Sequence, residues 1–255
     1  MSSKTLKNHY RGLLAQWYDK LVENEQNDIE FYKPIVLQSK GPILELACGT
    51  GRLLIPCLQS GGDIQGLDIS GDMLAICQEK LKKMDLSTTL FEQDIAKFKT
   101  NQEYDIVFIS GGSFQLLENI DHAMSCLNCV YAHLQPGGRF ILDLFPLWSE
   151  AHSHHEGVWR LGRTASNDRG EVFLCHMCTK MDYENQVQKG HYKYELYKDG
   201  RLDKTMCADL NMRWYGRQEF KLMLEKVGFI NIRIESTSIM SSHGKSIVYY
   251  AVKES

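Results

Sequence analysis

From residue 43 onward the chain alternates short apolar runs with amphipathic stretches, and no other feature constrains the fold as strongly. ILEL, DIQGLDIS, TTLFEQDI, YDIVFIS and RFILDLF read as strands. Between them lie helical patterns through Leu58, from Met73 to Met84 and through Leu134, with a turn at Gln135-Pro136-Gly137-Gly138 before the last run. Strands that alternate with helices pair in parallel through right-handed crossovers, and such sheets bind ligands at their carboxyl ends. The expectation is a doubly wound α/β sheet. RQEFKLMLEKVGF then supplies an amphipathic helix ended by Gly228, and INIRIES with KSIVYYAV adds two closing strands, which brings the sheet to seven.

Two segments lie outside this alternation. Residues 10 to 21 place Tyr10, Leu13, Leu14, Trp17, Tyr18 and Leu21 at spacings of three and four, one apolar stripe on a helix. The stripe fits core packing, or an aromatic lid over a ligand. Residues 158 to 215 read as successive β segments (VWRLGR, EVFLCHMCTKMDY, KGHYKYELYKDG, LDKTMCADLNMRWY), with turn signals at Asn167 to Gly170 and at Asp199-Gly200. The expected organisation is an N-terminal helical cap over 1–40, an α/β core over 41–150, an inserted antiparallel β-sheet over 151–215 and closing elements of the core over 216–255.

Composition narrows the function. Lysine and arginine total 29 against 32 aspartates and glutamates, so no strong positive field is present to draw in a phosphate backbone. Nucleic acid is disfavoured as a partner. The first residues, MSSKTLKNHYRG, lack the apolar run of a secretory signal, and no stretch approaches the roughly 18 apolar residues of a membrane span. A cytoplasmic protein is expected, as a monomer or homodimer. Cys126 with Cys129 and Cys175 with Cys178 superficially suggest a zinc site. However, the first pair falls in a helical pattern and the second in a strand whose period of two sends its members to opposite faces. Their separation also far exceeds the usual two-knuckle spacing of roughly 15 to 20 residues, so buried thiols and no metal are expected.

The chemistry concentrates at strand ends. ILELACGTGRLL is a strand with an acidic residue, Glu45, followed by a glycine turn that opens a helix, where Gly49 and Gly51 permit a tight turn and close approach of a ligand. Leu54 stands where a nicotinamide fingerprint requires glycine or alanine, and the Gly-Lys-Ser/Thr of a phosphate loop is missing. Asp68 ends the second strand, where a carboxylate can accept from a ribose diol, each such bond contributing roughly 1.5 to 3 kcal/mol. Asp94 follows the third strand and can accept from an exocyclic amine, with Ile69, Met73 and Ile95 against a planar base. Each acid alone could be a helix N-cap; three at successive strand ends point to a nucleoside.

ELACGTG, GLDIS with DML behind it, EQDI and LQPGGRFILDLF resemble the ordered motifs of class I S-adenosylmethionine-dependent methyltransferases over about residues 41 to 145. The resemblance implies a Rossmann-like seven-stranded sheet and S-adenosyl-L-methionine as cofactor. It implies that Glu45, Ala47, Gly49 and Gly51 surround the methionine end, that Asp68 holds the ribose and that Asp94 with Ile95 holds the adenine. Ala47 stands where many relatives carry glycine, a small-residue change that leaves the loop intact.

By the same resemblance the acceptor meets the cofactor after the fourth strand, at Ser110-Gly111-Gly112-Ser113-Phe114. The Asn/Asp-Pro-Pro-aromatic motif of adenine-directed enzymes is missing, and the only Pro-Cys, Pro56-Cys57, lies in the helix after the glycine turn rather than at a nucleophile position. A small-molecule acceptor is expected, with an amine nitrogen as the methylated atom. The Trp17-Tyr18-Asp19 helix and the insertion are similar to methyltransferases of small amines, including amino-sugar and glycine-type N-methyltransferases, and this gives Tyr18 a place on the acceptor side. His152, His154 and His155 follow the fifth strand, where a base could sit, although a solvated loop fits them better. A tRNA-base or protein methyltransferase, or a non-catalytic cofactor-binding subunit, are the alternatives.

Overall fold

Paired apolar neighbours such as Ile43-Leu44, Ile106-Val107 and Ile141-Leu142 send one side chain to each face of a sheet, so a strand built from them is stable only when both faces are covered. The computed structural model, which describes residues 10–24, 27–147, 156–241 and 244–255, follows that requirement. The core strands are β1 (Ile43–Leu46), β2 (Ile64–Asp68), β3 (Leu90–Glu92), β4 (Tyr104–Ile109), β5 (Leu134–Leu144) and, after the insertion, a closing pair (Phe229–Ser241 and Gly244–Lys253). They form one seven-stranded sheet in which β1 to β5 run parallel in the order β5-β4-β1-β2-β3, and the closing pair adds antiparallel strands beyond β5.

Helices cover both faces. On one side Ile43, Ile64, Ile106 and Ile141 pack with α2 (Asn27–Leu37), α3 (Leu54–Gln59) and α4 (Gly71–Lys83). On the other side Leu44, Leu67, Val107 and Leu142 pack with α5 (Ile120–His133) and α6 (Arg217–Val227), the latter ended by Gly228 in the left-handed conformation. Strand order reverses between β1 and β4, and at such a switch point the flanking connections diverge and leave a crevice at the carboxyl ends. No helix among the described residues is long and apolar enough to cross a membrane.

The inserted sheet is separate and antiparallel, in the order β6 (Arg160–Ser166), β7 (Val172–Asp182), β8 (Val187–Lys198) and β9 (Arg201–Arg213). The first helix, α1 (Gly12–Leu21), lies between it and the core: Leu13, Leu14 and Trp17 pack on Phe173, Cys175, Tyr194 and Leu196, with Trp17 stacked on Phe173 at 5.5 Å. Cys126 is fully buried in the core, and the Cys129 thiol donates to the Phe98 carbonyl at 3.1 Å.

Two details differ from the sequence reading. The turn at Gln135 to Gly138 lies inside β5, where it appears as an irregularity in the pairing with β4. A second cap helix, α2, had no counterpart in the pattern reading; Pro34 inside it breaks the helical signal, although Asp28 and Glu30 in its first turn mark its start.

Candidate functional site

The carboxyl ends of β1, β2 and β4 and the loop after β3 open into a cleft of about 980 Å³, measured to its open mouth. Glu45, Ala47, Gly49, Asp68, Ile69 and Met73 line one side of it, Asp94, Ile95 and Ser110 another, and Tyr18 of α1 closes the top. Gly51 does not line it. Its φ of +76° suits the turn, and a Cβ there would lie 2.5 Å from Cys77 Sγ, so this glycine lets the loop pack on α4.

Asp68 ties the glycine turn to the second strand. Its Oδ2 accepts from the Gly49 amide and its Oδ1 from the Ser70 amide, both at 2.8 Å. Burial raises its pKa, while amides of Ser70, Gly49 and Ile69 pull the other way. Each carboxylate oxygen accepts more than one bond, so acceptor capacity remains for a diol. Glu45 is 2% exposed, and burial pushes its pKa up to about 8. Its Oε2 has no hydrogen-bond partner among the described residues, an expensive state for a buried carboxyl oxygen that a cationic amine would relieve. Asp94 accepts from the Ala96 amide at 3.0 Å, which turns the loop after β3 beneath Ile95.

Four hydrogen bonds latch α1 and the residue-10 segment before it across this cleft. Ser70 Oγ donates to the Tyr10 carbonyl, the Gly12 amide donates to Asp72 Oδ2 at 2.7 Å, and Asp19 accepts from Thr50 Oγ1 in the glycine turn and from Lys80 Nζ at 2.8 Å. The apolar stripe therefore divides between two surroundings. Trp17 is packing; Tyr18 and Tyr10, whose rings meet edge to face at 6.0 Å, face the cleft.

A second cavity, about 1240 Å³ to its mouth, adjoins the first between α1, α2 and the inserted sheet. Tyr10, Tyr18, Arg52, Gly111, Ser113 and Leu116 line both. On the core side Arg52 and Asp28 form a two-pronged ion pair, one prong at 2.7 Å. Burial disfavours the Arg52 charge, but the Asp28 carboxylate outweighs it and keeps the guanidinium protonated. Asp143 at the end of β5 is fully buried and accepts from Tyr32 Oη at 2.8 Å and from the Gly111 amide at 3.0 Å. Burial lifts its pKa to about 6. It anchors Gly111 and Gly112, both at positive φ, in the loop between the cavities. Phe114 of that loop belongs to the core, packed against Tyr215 and Phe220. His152, His154 and His155 lie outside the described residues.

Residues 43–138, from β1 through the turn inside β5, match the family model described as a methyltransferase domain. These residues form a methyltransferase domain of the S-adenosylmethionine-dependent kind. A protein of Geobacillus sp. (strain WCH70) with a provisional methyltransferase name is 23% identical over 253 residues, covering 94% of this chain and 98% of its own length. Among solved structures, an S-adenosylmethionine-dependent methyltransferase from Clostridium acetobutylicum superposes with a TM-score of 0.74 at 19% identity, covering 94% of this methyltransferase and 98% of that chain. The sugar N-methyltransferase KedS8 of Streptoalloteichus sp. gives 0.74 at 16% identity, over 96% and 94%. At these identities the structures establish the shared fold.

The residues present fit the cofactor of this class. The orphaned Glu45 oxygen suits an ammonium, the remaining acceptor capacity of Asp68 suits a ribose diol, and Met73 with Ile95 gives apolar walls for a purine. Of the lining residues, Cys48, Arg52 and Ser70 are not singled out by the sequence, and Tyr10 is named there only as part of the apolar stripe. Arg52 directly follows the glycine turn and had a readable signal as a lone buried-side cation; Asp143 in LDLF had one as an acid inside an apolar strand. Their partners come from α2, which the pattern reading missed.

Proposed function

We propose that this enzyme transfers the cofactor's methyl group to an amine nitrogen of a small molecule held in the second cavity. The observation that supports the reading is the border shared by the two cavities: Tyr18, Gly111 and Ser113 line both, so the cavities adjoin and a group in the second would face the cofactor's end of the first at that rim. Glu45 receives the methionine ammonium, Asp68 the ribose hydroxyls, and Asp94 with Ile95 the adenine. Tyr18 lies on the acceptor side.

The bound cofactor supplies an electrophilic methyl on a sulfonium, so the protein's task is alignment, which can contribute roughly 7 to 11 kcal/mol. Tyr10 and Tyr18 shield the junction from water and offer hydroxyls to the incoming nitrogen. The amine arrives neutral with its lone pair directed at the methyl carbon. A cofactor held there would give up its methyl with the sulfide as leaving group, and the methylated ammonium would lose its proton to solvent at the cavity mouth. The α1 latches keep Tyr18 in place during transfer.

The test is incubation with methyl-labelled cofactor and a cell metabolite extract, with and without ribonuclease. Label in small amines is the expected result. Ribonuclease-sensitive or protein-bound label would overturn the reading, and cofactor binding without label in any fraction would point to a regulatory subunit.

A further inference from the structure

Strand parity divides the inner face of the inserted sheet into two halves. Phe173 and Leu196 are covered by α1, with Trp17 stacked on Phe173. Further along the same face, Cys175 pairs with Tyr194 and Met177 with Tyr192, while Leu210 and Met212 project from β9 opposite Gly190 and Gln188. Directly paired residues share a face, and these six side chains all line the second cavity. The Tyr192 and Tyr194 rings are nearly parallel, 11° apart, with centroids at 6.2 Å. Gly190 permits this: a Cβ there would lie 2.7 Å from Tyr192 Cε2, so its absence lets the ring lie down along the sheet. Two methionine thioethers, soft and unbranched, flank the aromatic pair and adapt to an irregular outline.

The opposite wall is mixed. Beside Leu116, Phe145 and Ile239 it carries Asp28 and Arg52, whose charges are matched in their two-pronged pair, and the Ser113 end of the anchored glycine loop. Arg163 Nη1 donates to the Leu21 carbonyl at 3.4 Å and joins the sheet to the end of α1. The cavity therefore has a flat, mainly apolar side on the inserted sheet, with Arg163 at its edge, and gathers most of its other polar groups near the junction with the cofactor cleft. A sugar ring presents hydroxyls at every edge and would leave those facing the methionines and leucine without partners. A flat hydrocarbon ring system loses nothing there and gains burial.

We propose that the acceptor is an amine carried on a flat apolar body, of the arylalkylamine class, with its ring system against the Tyr192–Tyr194 wall and its nitrogen at the junction. This rests on the reading that the second cavity holds an amine acceptor.

The test titrates the enzyme, saturated with S-adenosylhomocysteine, with tryptamine, 2-phenylethylamine and glucosamine by calorimetry, and then assays label transfer to the same three amines. The aryl amines are expected to bind at least tenfold more tightly than glucosamine, tryptamine the tightest. Met177→Gln and Met212→Gln should each weaken tryptamine about tenfold and leave cofactor affinity within twofold, which also shows that the variants fold. Glucosamine binding as well as tryptamine, or tryptamine affinity insensitive to both substitutions, would overturn the proposal. Methylation of glucosamine alone would overturn it while leaving the amine-acceptor reading standing. Neither binding nor labelling of any of the three overturns it too, and the metabolite extract then decides separately whether that wider reading also falls.

Discussion

The cofactor cleft and the cavity beside it are built from different kinds of chain. The cleft is made where consecutive core strands end, so its acids arrive at intervals dictated by strand and helix lengths, and Asp68 is bonded to the turn that precedes it by one strand. The second cavity is assembled from segments remote in sequence: α1, α2, the loop after β4 and the inner face of the inserted sheet. Local spacing therefore encodes the first site, whereas only tertiary packing encodes the second. If this division is real, substitutions in one site should leave the other unchanged.

The largest expected separation is at Asp68. Asp68→Ala removes two charge-assisted acceptors and frees the Gly49 and Ser70 amides, so cofactor affinity should fall on the order of a hundredfold. Amine binding in the second cavity should change by less than threefold. Calorimetry with both ligands checks this; an equal loss of both would mean that the two cavities behave as one site.

Glu45 gives the next effect. With its pKa near 8 in the free protein, it is protonated at pH 7, and pairing with an ammonium requires it to ionise. Cofactor binding at pH 7 should release roughly one proton, measurable as a dependence of binding enthalpy on buffer ionisation heat, and affinity should fall about tenfold or more from pH 8 to pH 6. Glu45→Gln should abolish both. The stability of the free protein should move in the opposite direction. The folded state binds this proton more tightly than the unfolded chain, so the contribution is complete below about 4.5 and is lost as pH rises through about 8. A free enzyme that melts higher at pH 8 than at pH 6 would contradict the assignment.

Tyr18 belongs to both cavities and tests the boundary between them. Loss of one hydrogen bond of roughly 0.5 to 1.5 kcal/mol should lower turnover of Tyr18→Phe about two- to tenfold, with cofactor affinity within twofold. Full activity in both Tyr18→Phe and Tyr18→Ala would return this residue to mere packing.

The same division explains what could be read in advance. The parallel sheet, the four inserted strands and the strand-end acids follow from periodicity and from motif spacing, both local. Arg52 and Asp143 were visible as residues but not as parts of a site, because the groups that pair with them, Asp28 and Tyr32, stand on a helix whose pattern Pro34 interrupts. Glycine in a turn has two uses, close approach to a ligand and close packing, and at Gly51 the second is visible only once Cys77 is seen to occupy the space a Cβ would need. Trp17 and Tyr18 are neighbours on one stripe, yet one faces the sheet and the other the cleft, a distinction of about 100° around the helix that a stripe of this breadth does not resolve.

The smallest expected effect concerns Ala47, which sits in the glycine turn at a φ of +58°. A left-handed alanine costs roughly 1 to 2 kcal/mol relative to its ordinary conformations. Ala47→Gly removes that cost but lets the unfolded chain gain freedom worth roughly 0.4 to 1 kcal/mol. The difference leaves a net stabilisation of about 0.5 kcal/mol, a rise in melting temperature of about 1 to 2 °C for a chain of this size. Cofactor affinity should stay within twofold, since the turn is held from outside by Asp68 on Gly49 and by Asp19 on Thr50 rather than by the alanine methyl. Binding in the second cavity should not respond at all. If Ala47→Gly instead destabilises the protein by more than about 1 kcal/mol, the methyl group makes contacts that outweigh its backbone strain, and the turn is held by packing as well as by hydrogen bonds.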